Sequence, residues 1–225
     1  MSLTEYPDIE QGSPEWFEQR RGIVTASVVG NLLTAKELKP ANNQVSRGLT
    51  ALLVAERITG FVDPTYVSDD MLRGRDDEPR AVDVYREHYS KVATTGFMVR
   101  DDWGYKIGYS PDGLVGDLGL IEIKSRRQKK QLLTVLDDEV PAENMAQIQC
   151  GLLVSGRAWC DYISYSGGMH MWTKRVYPDD RWHEAIVAAV EQFENNAAEM
   201  QANYNSAVAG LPLTERIDTD MEMVI

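Results

Sequence analysis

The chain has 225 residues, 43% hydrophobic and 26% charged, enough for one large domain or two small ones with a buried core. No apolar run approaches the ~18 residues of a membrane span. The opening segment MSLTEYPDIEQGSPEW does not read as a signal peptide, and Cys150 and Cys160 make neither a disulfide framework nor a C-x-x-C pair, so a cytoplasmic protein with reduced thiols and no membrane partner is expected.

The net charge of −12 argues at first against nucleic acid, since phosphate binders usually carry a basic footprint. Position matters more than the sum, however. Basic residues cluster at Arg20-Arg21, at Arg73 and Arg75, and along Lys124-Ser-Arg-Arg-Gln-Lys-Lys130. Acids dominate 66–78, 101–102, 137–143 and the C-terminal third. For the 124–130 run, a solvated face and a DNA-backbone contact are equally open readings.

Ser13-Pro14-Glu15 is a helix start, with a Ser cap, Pro at the first helical position and an acid in the first turn; this helix should end before Gly22. Thr25-Ala-Ser27 opens a second apolar segment. Residues 43–59 predict a helix with Leu49, Leu52, Leu53 and Ile58 as its stripe and Gly60 as the stop. Ser68 to His88 is largely helical in pattern, interrupted by Gly74 and Pro79. After Ser90 the period changes to three strands, ATTGFMVR, GYKIGYS and GLIEIK. Helices fit 126–136 and 143–155, followed by AWCDYISYS and GMHMWTKRVY as a hairpin across Gly167-Gly168. Residues 180–203 form an amphipathic helix with Trp182, Ile186, Val190 and Phe193 on one face. Residues 205–225 read as a mobile acidic tail after a core of about 11–204. The pattern indicates one α/β domain with a central mixed β-sheet flanked by helices.

Several chemistries drop out. Gly151-LLVS-Gly156-Arg157 has phosphate-loop glycine spacing without the Lys-Ser/Thr pair. His88, His170 and His183 have no zinc spacing, and there is no G-x-S-x-G elbow. The segment GYSPDGLVGDLGLIEIKSR, 108–126, is different in kind. Ser110-Pro111-Asp112-Gly113 has the residues of a tight turn, predicting a hairpin between the strands on either side. Residues two apart on a strand share a face, so Glu122 and Lys124 project together while Ile121 and Ile123 turn to the core. The turn can bring Asp112 to the same face. Two carboxylates and a backbone carbonyl suit Mg²⁺ or Mn²⁺, and a lysine beside them can orient a water and stabilise a pentavalent phosphorus.

Asp112-x9-Glu122-Ile-Lys124, preceded by Pro111, resembles the PD-(D/E)xK nuclease core, a restriction-endonuclease-like fold. Trp16-x3-Arg20-x-Gly-x-Val-Thr25-Ala-Ser27, Gly74-Arg-Asp-Asp-Glu78, Ser110-Pro-Asp-Gly113 and Ala146-Gln147-Ile-Gln149 resemble, in order, the motifs of the lambda-exonuclease-like phage recombination nucleases. The resemblance implies that Asp112, Glu122 and the carbonyl of Ile123 hold the catalytic metal, with Glu78 supporting a second ion. It implies that Lys124 acts on the attacking water, that Gln147 bridges metal site and substrate phosphate, and that Arg20, Ser27 and Ser110 form a 5′-phosphate pocket. Pro79 departs from the pattern and restrains Glu78 away from helical geometry. Arg126, Arg127, Lys129 and Lys130 are expected along the DNA backbone. The implied activity is a metal-dependent 5′-to-3′ exonuclease that acts on linear double-stranded DNA and leaves 3′ overhangs. The implied partners are DNA ends, two further subunits in a homotrimeric ring and a single-strand annealing protein, in a bacterial host cytoplasm. Two alternatives remain beside it: an endonuclease or single-strand exonuclease of the same superfamily, and a non-catalytic DNA-binding module.

Overall fold

The computed structural model describes residues 2–34, 37–64 and 67–216. Ser13 caps the first helix, α1 (Pro14–Arg20), through the Trp16 N–H, with Pro14 at its first position as predicted. A short strand β2 (Val24–Thr25) leads into α2 (Ala26–Val29) and a 3-10 turn. Helix α3 (Gln44–Thr59) starts with a reciprocal Asn43–Ser46 capping box and stops at Gly60 in the left-handed region. Of its predicted stripe, Leu49 and Leu53 are buried but Leu52 is 50% exposed.

Helix α4 (Asp69–His88) runs unbroken through Pro79. The strands β3 (Phe97–Arg100) and β4 (Ile107–Tyr109) pair antiparallel, and β1 (Leu3–Tyr6), an element absent from the sequence reading, adds to the edge of β3. With β2 parallel to β4, these four form a mixed sheet in the order β1-β3-β4-β2. A second mixed sheet, β5-β6-β7-β8, contains β5 (Gly113–Val115), β6 (Gly119–Ser125), β7 (Trp159–Tyr165) and β8 (Trp172–Val176). The strands therefore divide between two mixed sheets flanked by helices, where the pattern read as one central sheet. The expected hairpin across Ser110–Gly113 is corrected too. That segment carries the chain from the first sheet to the second, and the hairpin turn lies at 116–118 between β5 and β6, with Gly116 at φ +53. Pro111 and Gly113 satisfied a turn pattern whose flanking strands pair with other partners.

β6 is central, antiparallel to β5 and parallel to β7, and is sandwiched on both faces. Ile121 and Ile123 pack with Ala81, Val82 and Tyr85 of α4. Leu120 on the other face joins the main core with Ile148 and Leu152 of α6 (Ala142–Ser155) and Ile186, Val190 and Phe193 of α7 (Asp180–Ala207). That core also takes in Val24, Ile107 and Tyr109 of the first sheet, so one apolar cluster spans both sheets. Between β6 and α6 lies α5 (Gln128–Asp137). The C-terminal helix extends to Ala207, past the predicted end of the core, and residues 217–225 of the expected tail lie outside the described residues.

Candidate active site

The passage between the sheets creates the site. β4 ends at Tyr109, and the bend that follows puts Asp112 against β6, where its Oδ2 accepts the Ile123 N–H at 2.6 Å. Glu122, fully buried on β6, accepts a hydrogen bond from Lys124 Nζ at 2.6 Å. The i, i+2 geometry of a strand thus produces the predicted pair. Gln147, on α6 where it covers β6, accepts a second hydrogen bond from Lys124 Nζ at 3.0 Å. The Tyr109 hydroxyl lies 3.5 Å from the other Glu122 oxygen. Tyr109 can sit there because α6 carries Gly151 against its ring; a Cβ on Gly151 would come within 2.7 Å of the ring carbons.

Burial pushes the Asp112 carboxyl well above its usual range, and the charges of Glu122 and Glu78 push it further, against Lys124 and the Ile123 N–H. Glu78 on α4 is raised by burial and by Glu122. Burial alone would lower Lys124, but Glu122 and Asp112 outweigh it and hold the ammonium above its ordinary value. Asp112, Glu122, Glu78 and Lys124 thus interact electrostatically, three carboxylates around a single cation, and Gln147 joins them through its hydrogen bond to Lys124. Among the described residues no three His, Cys, Asp or Glu side chains converge closely enough to hold an ion unaided; Lys124 occupies one Glu122 oxygen and the Ile123 N–H one Asp112 oxygen. The donor set nevertheless fits a hard divalent cation in type and in charge. Its oxygens are those that Mg²⁺ and Mn²⁺ prefer, and its carboxylates, Glu122 buried and Asp112 and Glu78 partly exposed, outnumber the one cation, so an added cation is favourable.

Beside this cluster lies a cationic pocket. The Arg20 guanidinium stacks 3.9 Å from the Trp16 ring centroid and reaches Thr25 Oγ1 and Ser27 Oγ at 3.5 Å each. Trp16 Nε1 donates to Ser110 Oγ at 2.8 Å. Arg20, Ser27 and Ser110 therefore come together, and Ser110 is two residues from Asp112. Burial pushes Arg20 down to about 10, partly offset by the charge of Glu56; the group stays cationic near neutrality, and no carboxylate pairs with it among the described residues. The Gly22 turn that leads from α1 to β2 is clamped from α3. Its N–H donates to Glu56 at 2.7 Å, and its carbonyl accepts from Arg57 Nε at 2.6 Å. Arg57 is itself gripped by Glu194 of α7 at 2.7 and 2.8 Å. Gly22 needs to be glycine, with φ at +68 and Arg57 Cγ 2.5 Å from where a Cβ would stand.

Sequence reasoning missed the functional placement of Trp16 Nε1, Tyr109 and Glu56, whose partners are distant in sequence. Gln149, which the A-Q-x-Q motif sets beside Gln147 without a site role, is a structural group that donates to the Tyr177 carbonyl and accepts from the Asp179 N–H. The 124–130 run is not a uniform basic stripe. Arg126 is tied to Asn144, Tyr162 and Glu143, Arg127 to Asp70, and Lys130 to Glu143. Burial pushes both cysteine thiols upward, which makes them inert core residues.

The fold is a mixed α/β one in which Asp112, at the bend between two sheets, meets Glu122 and Lys124 of β6, with the Arg20 pocket alongside. The chain belongs to the YqaJ-like viral recombinase domain family, whose model matches residues 15–158, and all of the ordered motifs lie within that match. The crystal structure of an alkaline exonuclease (LHK-Exo) from Laribacter hongkongensis superimposes with a TM-score of 0.78 at 29% identity, covering 89% of this chain and 100% of that one. The same exonuclease in complex with dAMP gives the same figures. A phage related exonuclease from Haemophilus somnus 129PT shares the fold, with a TM-score of 0.53 at 11% identity over 79% of this chain and 96% of that one. No curated protein matches the chain significantly. Among the described residues no helix is long and apolar enough to cross a membrane.

Proposed function

We propose that the protein is a metal-dependent 5′-to-3′ exonuclease that degrades one strand of linear double-stranded DNA and leaves 3′ overhangs. The observation that carries this reading is that the cationic pocket and the carboxylate cluster share one bend, Ser110 facing the first and Asp112 belonging to the second. A guanidinium with hydroxyls around it reads a terminal phosphate dianion better than an internal diester, so Arg20, Ser27 and Ser110 fix the 5′ end. The similar alkaline exonuclease, at 29% identity, supports the exonuclease part of this reading.

Asp112, Glu122, the Ile123 carbonyl and Glu78 would hold Mg²⁺ or Mn²⁺, two ions per site, which supply Lewis acidity and an activated water when bound. The chain's own residues do the rest. Lys124, kept protonated by its two carboxylate neighbours, acts as a donor: it orients the attacking water and offsets charge on the pentavalent phosphorus. Gln147 fixes the lysine's direction through their hydrogen bond, and its remaining amide donors are free for the substrate phosphate. Tyr109 steadies Glu122. A homotrimeric ring around the DNA, a single-strand annealing partner and action in the bacterial host cytoplasm complete the reading. Self-association is supported by α5, which exposes Leu132, Leu133, Val135 and Leu136, an apolar face unusual for a free surface.

The test compares wild type with Asp112→Ala on linear duplex bearing one 5′-phosphate, in Mg²⁺. Hydrolysis should fall by about 10³-fold or more while end binding in EDTA is retained. Equal degradation by both proteins would contradict the reading and leave the non-catalytic module in its place.

A further inference from the structure

Beyond Lys124 the structure has a second cationic feature, which neither the carboxylate cluster nor the Arg20 pocket uses. A groove of about 550 Å³ is lined by Arg73 of α4, by Arg126, Arg127 and Lys129 at the β6–α5 junction, by Asp77, and by Ser166 after β7. Its charges are weakly compensated. Arg73 and Arg127 share one exposed carboxylate, Asp70, at 2.6 and 2.9 Å. Asp77 is occupied by the Ser125 hydroxyl at 2.6 Å and by Arg80 at 3.5 Å. Arg126 is fixed by Asn144, Tyr162 and Glu143, with its Nε buried and unpartnered, and Lys129 has no ion pair among the described residues. Helix α5 begins here with no side-chain cap, so its dipole adds to the positive field. Exposed ion pairs such as those of Asp70 are worth little and exchange readily for a stronger anion.

The groove is placed in sequence with the other two parts. Arg20 stacks on Trp16, which bonds Ser110; Asp112 bonds Ile123; and Ser125, next after Lys124, accepts from Arg73 Nε at 3.0 Å. Terminal-phosphate pocket, carboxylates and groove therefore follow one chain of contacts. We infer that the groove holds an internal phosphodiester of the DNA, with Arg73, Arg127 and Lys129 as its phosphate ligands and Arg126 as the fixed floor. This rests on the nuclease reading above. It also revises the expectation from sequence: Arg73 joins the backbone contacts, and Lys130, paired with Glu143, leaves them.

The experiment uses the full chain in EDTA and a blunt 5′-hydroxyl duplex, which makes least use of the Arg20 pocket. Binding is followed by fluorescence anisotropy from 50 to 200 mM salt for wild type, Arg127→Ala with Lys129→Ala, and Arg127→Lys. The double variant should bind about tenfold more weakly at the lowest salt, and the slope of log K against log salt should fall by about 2. Arg127→Lys should keep the wild-type slope, because a phosphate contact needs the charge while a packing role needs the shape. Wild type and double variant with the same slope would overturn the groove and leave the exonuclease reading standing. Inorganic phosphate binding at constant ionic strength, lost in the double variant with the DNA slope unchanged, would assign the groove to free phosphate and overturn it too. A wild type that binds no duplex would overturn both readings.

Discussion

Burial beside other carboxylates sets Asp112 at an electrostatic cost, and its sign can be worked out. Its folded-state affinity for a proton is raised by burial and by Glu122 and Glu78, whereas in the unfolded chain it titrates at about 3.9. The folded chain therefore binds more protons than the unfolded one, and stability falls as pH rises from about 4 through the raised folded value. A divalent cation relieves that cost. At pH 8, Mg²⁺ at a hundredfold over its Kd should raise Tm by about 5–10 °C. Asp112→Asn should raise the metal-free Tm and remove most of the Mg²⁺ response. Scanning fluorimetry reads both; a wild-type Tm indifferent to Mg²⁺ would contradict the assignment. At this scale the sequence was informative wherever chemistry follows strand period: Glu122 and Lys124 had to share a face once β6 was a strand. Trp16 and Ser110 are 94 residues apart, and no local pattern announces that the indole N–H of one binds the hydroxyl of the other.

At the scale of elements, capping and stop residues made the helices legible: Ser13 and Pro14 for α1, Gly60 for α3. The strand ladder was less so. Ser110–Gly113 satisfied the composition of a turn, but strand pairing is decided by partners far away in sequence, and β4 found β3 and β2 while β5 found β6. β1 was invisible because an edge strand with only Leu3 and Tyr6 half-buried has no alternating signal. Pro79 read as a break in α4, yet the helix continues through it and still sets Glu78 within the field of Glu122. α5 falls where a helix was expected over 126–136; in the fold its apolar side turns outward at Leu136, 70% exposed. If that face joins subunits, light scattering on wild type should give three times the chain mass and Leu136→Asp a lower order; a wild-type monomer at micromolar concentration would contradict the ring.

Across the whole molecule, a net charge of −12 coexists with local cationic features, Arg20 beside Trp16 and the groove lined by Arg73, Arg127 and Lys129. If DNA is the substrate, as proposed, an acidic surface elsewhere would repel it from unproductive faces while the cationic features draw it in. The apolar cluster that spans the two sheets, from Tyr109 through Leu120 to Ile148 and Ile186, holds pocket and carboxylates in fixed relation. Composition alone pointed away from nucleic acid because it sums charges that the fold separates. In the proposed mechanism, hydrolysis begins at a terminal phosphate read by Arg20, Ser27 and Ser110. Its most direct test is a Mg²⁺ time course on three duplexes of one sequence: linear with a 5′-phosphate, linear with a 5′-hydroxyl, and covalently closed. The account predicts rapid loss of the phosphorylated strand from its 5′ end, slower attack on the hydroxyl duplex by about tenfold or more, and an intact circle. A circle cut as fast as the phosphorylated end would contradict it.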